Sequence, residues 1–316
     1  MPKWLLIVLL WTAGSLVQAN PKLQELELNQ AHRLQWPGNY QPSGLAWCRG
    51  QFLTVSDRHD LEIQAIHLNP EGRAQATRYL ELSRIPEPPA LNGFMNMIRQ
   101  MILTLFQKQY DWEGISCDEA GNLYLASEAY NALLKEPPKR DSEWITLGPH
   151  PVIQERGLLS QPNAGFEGVE WLGNNEFILT AEMHPAGLIR CKLQGEVCQP
   201  TRVGVVSDQK LPLEVRTWDL SGLSAADGRL YVLERYYSRV CRRDWVSFQI
   251  ERCFSFRATE KGELYNHENA KWGQAEGLLV KDDRIFVVID NNGRGLVSEP
   301  GSTDTWLFEF QRPQDF

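Results

Sequence analysis

The chain has 316 residues, a formal charge of −8 and six cysteines. That length suits one large domain or two ordinary ones, and the negative balance excludes the basic face that nucleic-acid phosphates require. An acidic surface serves solubility and cation binding alike, and charge alone does not separate the two.

At the N-terminus Lys3 precedes an unbroken apolar run over 4–10, and Val17-Gln18-Ala19 offers small residues where a signal peptidase reads. Thr12, Gly14, Ser15 and Gln18 interrupt the stretch, too early for the roughly 20 apolar residues of a membrane span. A retained anchor is therefore the weaker reading. Residues 1–19 are expected to be a signal peptide cleaved before Asn20, with 20–316 a single periplasmic or secreted domain. No cysteine follows the apolar stretch closely, which argues against a lipid anchor.

Cysteines in an exported chain read as disulfide partners. Cys191 and Cys198 flank the turn-like Gln194-Gly195-Glu196, and Cys241 and Cys253 bracket Trp245-Val246-Ser247-Phe248, as neighbouring strands would. Cys48 and Cys117 are left, each shortly after a motif glycine. An unpaired buried thiol is the alternative for any one pair. No C-x-x-C occurs, so a thioredoxin-like or zinc-ribbon site is not indicated.

The main signal is an internal repeat. Five segments open Ser43-Gly44-Leu45-Ala46, Glu113-Gly114-Ile115-Ser116, Glu167-Gly168-Val169-Glu170, Ser221-Gly222-Leu223-Ser224 and Glu276-Gly277-Leu278-Leu279. Each passes through a polar turn into an apolar, β-rich run that ends at a carboxylate: Asp57, Glu128, Glu182, Glu234 and Asp290. The glycine-to-carboxylate offsets are 13, 14, 14, 12 and 13, and successive glycines lie 70, 54, 54 and 55 residues apart. Strand, tight turn and second strand, with room for two more, is the content of a propeller blade. Candidates for those further strands are 63–68 with 76–82, and 188–193 with 201–206. The expected fold is an all-β propeller of about five four-stranded blades, with a degenerate sixth in the longer first interval as the alternative. The last unit has only 305–310 after its motif, so closure requires a strand from 26–36. The long interval carries Met, Ile, Leu and Phe at helical spacing over 93–109, set off by Pro86, Pro88 and Pro89. It reads as an amphipathic or buried helical insertion near 90–110 that covers one face of the ring.

In a propeller the innermost strands line a central tunnel. Glu113, Glu167 and Glu276 would recur there at one level, with Ser43 and Ser221 in the other two places. The run-ending acids return beside them across the antiparallel turn. Carboxylates gathered in one cavity repel unless protonated or bridged, and hard oxygen donors suit Ca²⁺ or Mg²⁺ better than zinc. The alternative is that each acid accepts backbone N–H bonds and staples blade to blade. Arg58 and Arg235 directly follow two of the carboxylates, with Arg190 and Arg216 nearby, and for these a salt bridge to a neighbouring acid is the favoured role. His59 and His184 each come two residues after a motif acid, within range of general acid or base work. His59, His184 and Arg235 are thus the candidate catalytic groups. No Gly-x-Ser-x-Gly elbow and no phosphate-binding Gly-rich loop is present. Trp112, Trp171 and Trp272 adjoin motif positions and are expected to pack between blades.

Glu113-Gly114-Ile115-Ser116 leading to Leu123-Tyr124-Leu125-Ala126-Ser127-Glu128 resembles the phytase-like, esterase-like propeller family of exported bacterial proteins. Leu220-Ser221-Gly222-Leu223 with Leu230-Tyr231-Val232-Leu233-Glu234-Arg235, and Ala275-Glu276-Gly277 with Val288-Ile289-Asp290-Asn291, look like further motifs of that family. Gluconolactonase-type propellers are similar in the Glu-Gly opening and hold a divalent cation with acids and Asn. By that resemblance Glu113, Glu167, Glu276 and Asp290 are the expected metal ligands, with Ca²⁺ the first cation to test. The implied activity is metal-dependent hydrolysis of a phosphoester or ester small molecule. The alternative is a non-catalytic propeller that binds a ligand or a cell-envelope partner.

Overall fold

The computed structural model describes residues 23–36, 40–89, 98, 101, 104–105, 109–147, 151–160, 165–182, 185–193, 197–203 and 219–316. The expected signal segment 1–19, most of the insertion 93–109, the 194–196 turn, His150, His184 and Arg216 lie outside the described residues. Within the insertion Ile98, Met101, Thr104 and Leu105 are helical, and Met101 and Leu105 are exposed. Among the described residues no helix is long and apolar enough to cross a membrane.

Strand follows strand with little else between. An N-terminal strand β1 (Glu27–Gln35) precedes the first unit, β2 (Ala46–Cys48), β3 (Gln51–Thr54), β4 (Glu62–Leu68) and β5 (Arg73–Glu81). The second unit is β6 (Trp112–Cys117), β7 (Leu123–Ser127), β8 (Ala132–Glu136) and β9 (Glu143–Thr146). The third is β10 (Phe166–Gly173), β11 (Glu176–Ala181), β12 (Gly187–Lys192) and β13 (Val197–Arg202). The fourth is β14 (Leu220–Ala226), β15 (Arg229–Glu234), β16 (Arg239–Arg243) and β17 (Ile250–Ser255). The last is β18 (Ala275–Lys281), β19 (Arg284–Ile289) and β20 (Thr305–Gln311).

Units two, three and four are four-stranded antiparallel meanders. β1 pairs antiparallel with β20 and so supplies the outer strand that the last unit lacks, as the short C-terminal stretch requires. It also pairs in parallel with β5 over Arg33–Gln35, which fuses the first and last units into one eight-stranded sheet. Both ends of the chain are thereby tied into one seam. β13 begins earlier than the expected 201–206, because Cys198 lies directly opposite Cys191 and draws the hairpin tight. Cys241 joins Cys253 across β16 and β17 in the same way, and Cys48 joins Cys117 between the innermost strands of two successive units. All three pairings are those suggested by spacing.

The burial pattern explains the character of each strand. β7 is buried along its whole length, and β11, β15 and β19 along all but their first residue. Each lies between two neighbouring sheets, so an unbroken apolar run is needed where an outer strand such as β5 alternates. The core is accordingly divided into layers, one between each successive pair of units. The layer of Leu34, Phe52, Ile66, Phe286, Val288 and Leu307 joins the last unit to the first. Full burial of one such Leu or Phe contributes about 2–3 kcal/mol.

Closure is decided at the axis. β2 contacts β6, β6 contacts β10, β10 contacts β14, β14 contacts β18, and β18 contacts β2. The repeated glycine makes this approach possible. A Cβ on Gly114 would lie 2.8 Å from the Glu167 carbonyl oxygen, one on Gly168 2.5 Å from that of Ser221, and one on Gly277 2.8 Å from the Gly44 backbone. Each glycine therefore sits against the backbone of the next inner strand. This is β-propeller construction. Gly168→Ala is expected to cost about 1–3 kcal/mol through overpacking, read as a lower urea midpoint with unchanged slope. A midpoint equal to wild type would contradict the close approach.

Candidate functional site

Four inner strands, β6, β10, β14 and β18, carry the same irregularity at their motif. Register shifts fall between Trp112 and Gly114, Phe166 and Val169, Leu220 and Leu223, and Ala275 and Gly277. A bulge re-aims the side chain at its extra residue, and here those residues are Glu113, Glu167, Ser221 and Glu276. Immediately below, Leu45, Ile115, Val169, Leu223 and Leu278 are buried around the axis with the glycines, and the space they leave is only ≈ 10 Å³. That is about the room for one water. The expected tunnel is thus closed by apolar side chains at the motif level.

The run-ending acids return beside the bulges. The backbone N–H of Glu128 donates to Asp111 O, that of Glu182 to Gly165 O and that of Asp290 to Gln274 O, in each case to the residue three before the motif glycine. Glu128, Glu167 and Glu182 each offer an oxygen within 4.8 Å of the others, and all three are buried. Asp57, Asp111 and Glu113 form a second group of the same tightness. Two of the expected ligands, Glu113 and Glu167, therefore stand in separate groups. The Asp290 charge raises the Glu276 pKa by repulsion, and that of Asp57 raises Asp290. Asp60 accepts the N–H groups of Gln109, Tyr110 and Asp111 at 2.6–3.2 Å, which fixes the chain as it returns from the insertion to Asp111.

Arg235 is the hub's counter-charge. Its guanidinium pairs with Asp219 at 2.7 Å, with Glu182 at 3.0 Å and with Glu276. These carboxylates come from three different positions around the ring, so one cation links the fourth unit to the third and fifth. Burial alone would lower the Arg235 pKa, but Asp219, Glu276, Glu167 and Glu182 outweigh it and raise it. The favoured salt-bridge role is what the geometry displays. Glu234, one residue earlier, leaves the hub entirely: Arg239 holds it at 2.6 Å and Arg243 at 2.8 Å, all three buried. His59 is stacked on Tyr40 with ring centroids 5.4 Å apart. Arg58 is exposed, 3.7 Å from Asp57 and bonded to Gln41 at 3.2 Å. Arg190 belongs to the outer surface, paired with Glu176.

Asp111 and Asp219 were not among the expected site residues. Their signal is positional: both lie three residues before a motif glycine, where Gln41, Gly165 and Gln274 stand in the other units. The offset of Glu234, 12 where the other units have 13 or 14, is also informative. Arg235 is at offset 13 and takes the place that an acid holds elsewhere.

A second set of side chains ties the inner strands together further from the hub. Ser116 Oγ accepts the Trp171 N–H at 3.0 Å, Glu170 accepts the Ala225 N–H at 2.8 Å and Ser224 Oγ accepts the Val280 N–H at 2.9 Å. All three stand two residues after a motif glycine, and each supplies the acceptor for a donor on the following strand. This is the stapling role foreseen for repeated polar groups, performed here by a different position.

Burial dominates the ionisation of the hub. It pushes Glu276 up to about 8 and Asp290 up to about 7, against the partial relief given by Arg235. Burial likewise raises Glu167, with Glu182 adding to the shift and Arg235 opposing it. Burial takes Glu170 to about 7. A raised carboxylate pKa means that the folded chain holds protons the unfolded chain releases. The stabilisation is complete below the ordinary values of 4.5 and 3.8 and is lost as pH climbs through about 7 and about 8. His267, lowered by burial, acts in the opposite sense only as pH falls below 6.5. In chelator the melting temperature should therefore drop between about pH 6.5 and about 8.5, and Asp290→Asn should shrink the drop. A flat or rising profile would contradict the burial of these carboxylates.

No family model matches this chain, and no curated protein matches it. Solved structures do. The glutaminyl cyclase of Myxococcus xanthus superposes with a TM-score of 0.53 at 13% identity, covering 91% of this chain and 98% of that one. XC5397 from Xanthomonas campestris, described as a gluconolactonase, gives 0.48 at 9% identity over 93% and 86% of the two chains. The virginiamycin B lyase of Staphylococcus aureus gives 0.43 at 16% identity over 93% and 75%. At these identities the first likeness establishes a shared β-propeller fold, and the fold is all that is taken from it.

Proposed function

We propose that the chain is an exported five-bladed propeller that hydrolyses a phosphoester or ester in its acidic cup with the help of a divalent cation, Ca²⁺ being the first to test. The observation that carries this reading is the buried trio Glu128, Glu167 and Glu182, whose oxygens lie within 4.8 Å of one another. Hard, anionic oxygens at this separation fit Ca²⁺ or Mg²⁺. The buried Glu276 Oε2, which has no hydrogen-bond partner, fits a hub built to receive a donor or a cation. The resemblance to phytase-like, esterase-like and gluconolactonase-type propellers supports the same reading. Three disulfides support an oxidising compartment, periplasmic or extracellular.

A cation bound there would offset substrate charge and polarise the scissile centre. The chain's own part falls to groups whose pKa values lie near neutrality. Asp290, whose Oδ1 is oriented by the Asn292 N–H at 2.8 Å, accepts a proton from water as its oxygen attacks the phosphorus or acyl carbon. The bond to the leaving oxygen breaks, and the proton on Asp290 passes to that oxygen, which departs as an alcohol. The apolar floor keeps solvent from entering behind the reacting centre. Glu113, Glu167, Glu276 and Asp290 remain the residues assigned to cation binding and proton transfer, and His59 and His184 are further candidates for the latter.

Two observations favour the second reading, a binding propeller of the cell envelope. Glu182, Asp219 and Glu276 are already paired with Arg235, and the insertion exposes Met101 and Leu105. Assays of chelator-stripped protein on p-nitrophenyl phosphate and p-nitrophenyl acetate, with and without added Ca²⁺, separate the two. Hydrolysis should require the cation, and Asp290→Asn should lower kcat by about 100-fold with the fold intact. Turnover of neither substrate under any cation, or equal rates in chelator, would rule the hydrolase out.

A further inference from the structure

Three units fasten the residue three before their motif glycine in the same way. Its carbonyl accepts the N–H of the run-ending acid, as in the pairs Asp111 with Glu128, Gly165 with Glu182 and Gln274 with Asp290. Its own N–H is held by a carboxyl that reaches in from elsewhere in the chain. Asp60 takes that of Asp111 at 3.2 Å, Glu128 that of Gly165 at 3.2 Å, and Glu260 that of Gln274 at 2.6 Å. Glu128 already belongs to the hub. Asp60 and Glu260 do not, and both are buried.

Glu260 does more than Asp60. It ends a one-turn helix, Arg257–Glu260, in the connection between β17 and β18. Its Oε1 accepts the Gln274 N–H, and its Oε2 accepts the Ser238 hydroxyl. Ser238 closes the turn Arg235–Tyr237, its N–H donating to Arg235 O at 3.0 Å. One carboxyl therefore joins the turn that carries Arg235 to the strand that carries Glu276, two residues after Gln274. Those two side chains pair at the hub. No slack is left between the two segments, since a Cβ on Gly273 would overlap the Arg235 carbonyl oxygen. The helix is itself fastened. Glu25 accepts the Ser255 hydroxyl at 2.6 Å and the Ala258 N–H at 3.3 Å, and Lys261 donates to Ala270 O and Trp272 O in the segment that leads to Gln274.

We propose that Glu260 is a positioning residue of the hub: it holds Arg235 against Glu276 and sets Asp290 beside them through the Gln274 carbonyl. Asp60 is its counterpart at Asp111. The assignment rests on the hydrolytic reading for its effect on turnover and on the hydrogen bonds alone for its effect on geometry. Glu260→Gln keeps an acceptor for the Gln274 N–H and a donor for Ser238 Oγ, whereas Glu260→Ala removes both bonds. With p-nitrophenyl phosphate or p-nitrophenyl acetate, Glu260→Ala should lower kcat by roughly 10- to 100-fold with KM unchanged, and Glu260→Gln should restore it. Ser224→Ala, which removes an acceptor between the same two units away from the hub, should lower the melting temperature and leave kcat alone. If Glu260→Ala does not fold, Ser238→Ala cuts only the tie to the Arg235 turn and should lower kcat in the same direction. The Arg235 Nε–H, which donates to Asp219 at 2.8 Å, gives a readout without turnover. Its NMR resonance, identified by its loss in Arg235→Lys, should shift or broaden in Glu260→Ala and stay in place in Glu260→Gln and Ser224→Ala. Hydrolysis by no form of the protein counts against the hydrolytic reading and leaves the resonance to decide the positioning role. A resonance unmoved in both Glu260→Ala and Ser238→Ala, a kcat lowered equally by Ser224→Ala, or no recovery in Glu260→Gln overturns it.

Discussion

Inner strands in contact at one axis bring the carboxylates beside three of their motif glycines close to the run-ending acids, and the structure depends on how that charge is held. A side chain at the motif glycine would collide with the next strand, so the ring closes only where the residue after Ser43, Glu113, Glu167, Ser221 and Glu276 has no Cβ. The acids are thus not a decoration of the propeller. They are brought together by the same close approach that makes the ring.

Isolated carboxylates in such a place would each cost several kcal/mol to ionise. Arg235 relieves part of this by linking Glu182, Asp219 and Glu276 at one point. Backbone N–H groups relieve more, donated by Gly165 to Glu128 and by Asn292 to Asp290. What remains shows as raised pKa values on Glu167, Glu276 and Asp290, with Glu276 at about 8 and Asp290 at about 7.

Much of the fold was legible in the chain because ring closure imposes a period. Gly44, Gly114, Gly168, Gly222 and Gly277 recur because each inner strand meets the same steric demand, and the second strands read as continuous apolar runs because sheets cover both of their faces. The need for an N-terminal strand followed from the short stretch after Asp290. Hub membership was less legible, since it depends on one-residue differences that a pattern of residue types blurs. Glu234 fits the run-ending acid pattern yet sits at an offset of 12 and is drawn outward by Arg239 and Arg243, while Arg235 enters in its stead. Asp111 and Asp219 precede the motif, where the other units carry Gln41, Gly165 and Gln274, so no repeated residue type marks their place. Nor does any periodicity reveal that Leu45, Ile115, Val169, Leu223 and Leu278 close the axis, because apolar residues there serve equally well as ordinary core.

If the hub stores protons in place of a counter-ion, a cation must expel them on entry. Titrating Ca²⁺ calorimetrically near neutral pH, in two buffers of different ionisation heat, counts the protons that leave. The account predicts binding accompanied by net release of about one proton or more, reduced in Glu167→Gln. Binding with identical heats in both buffers, or no binding at all, would contradict it.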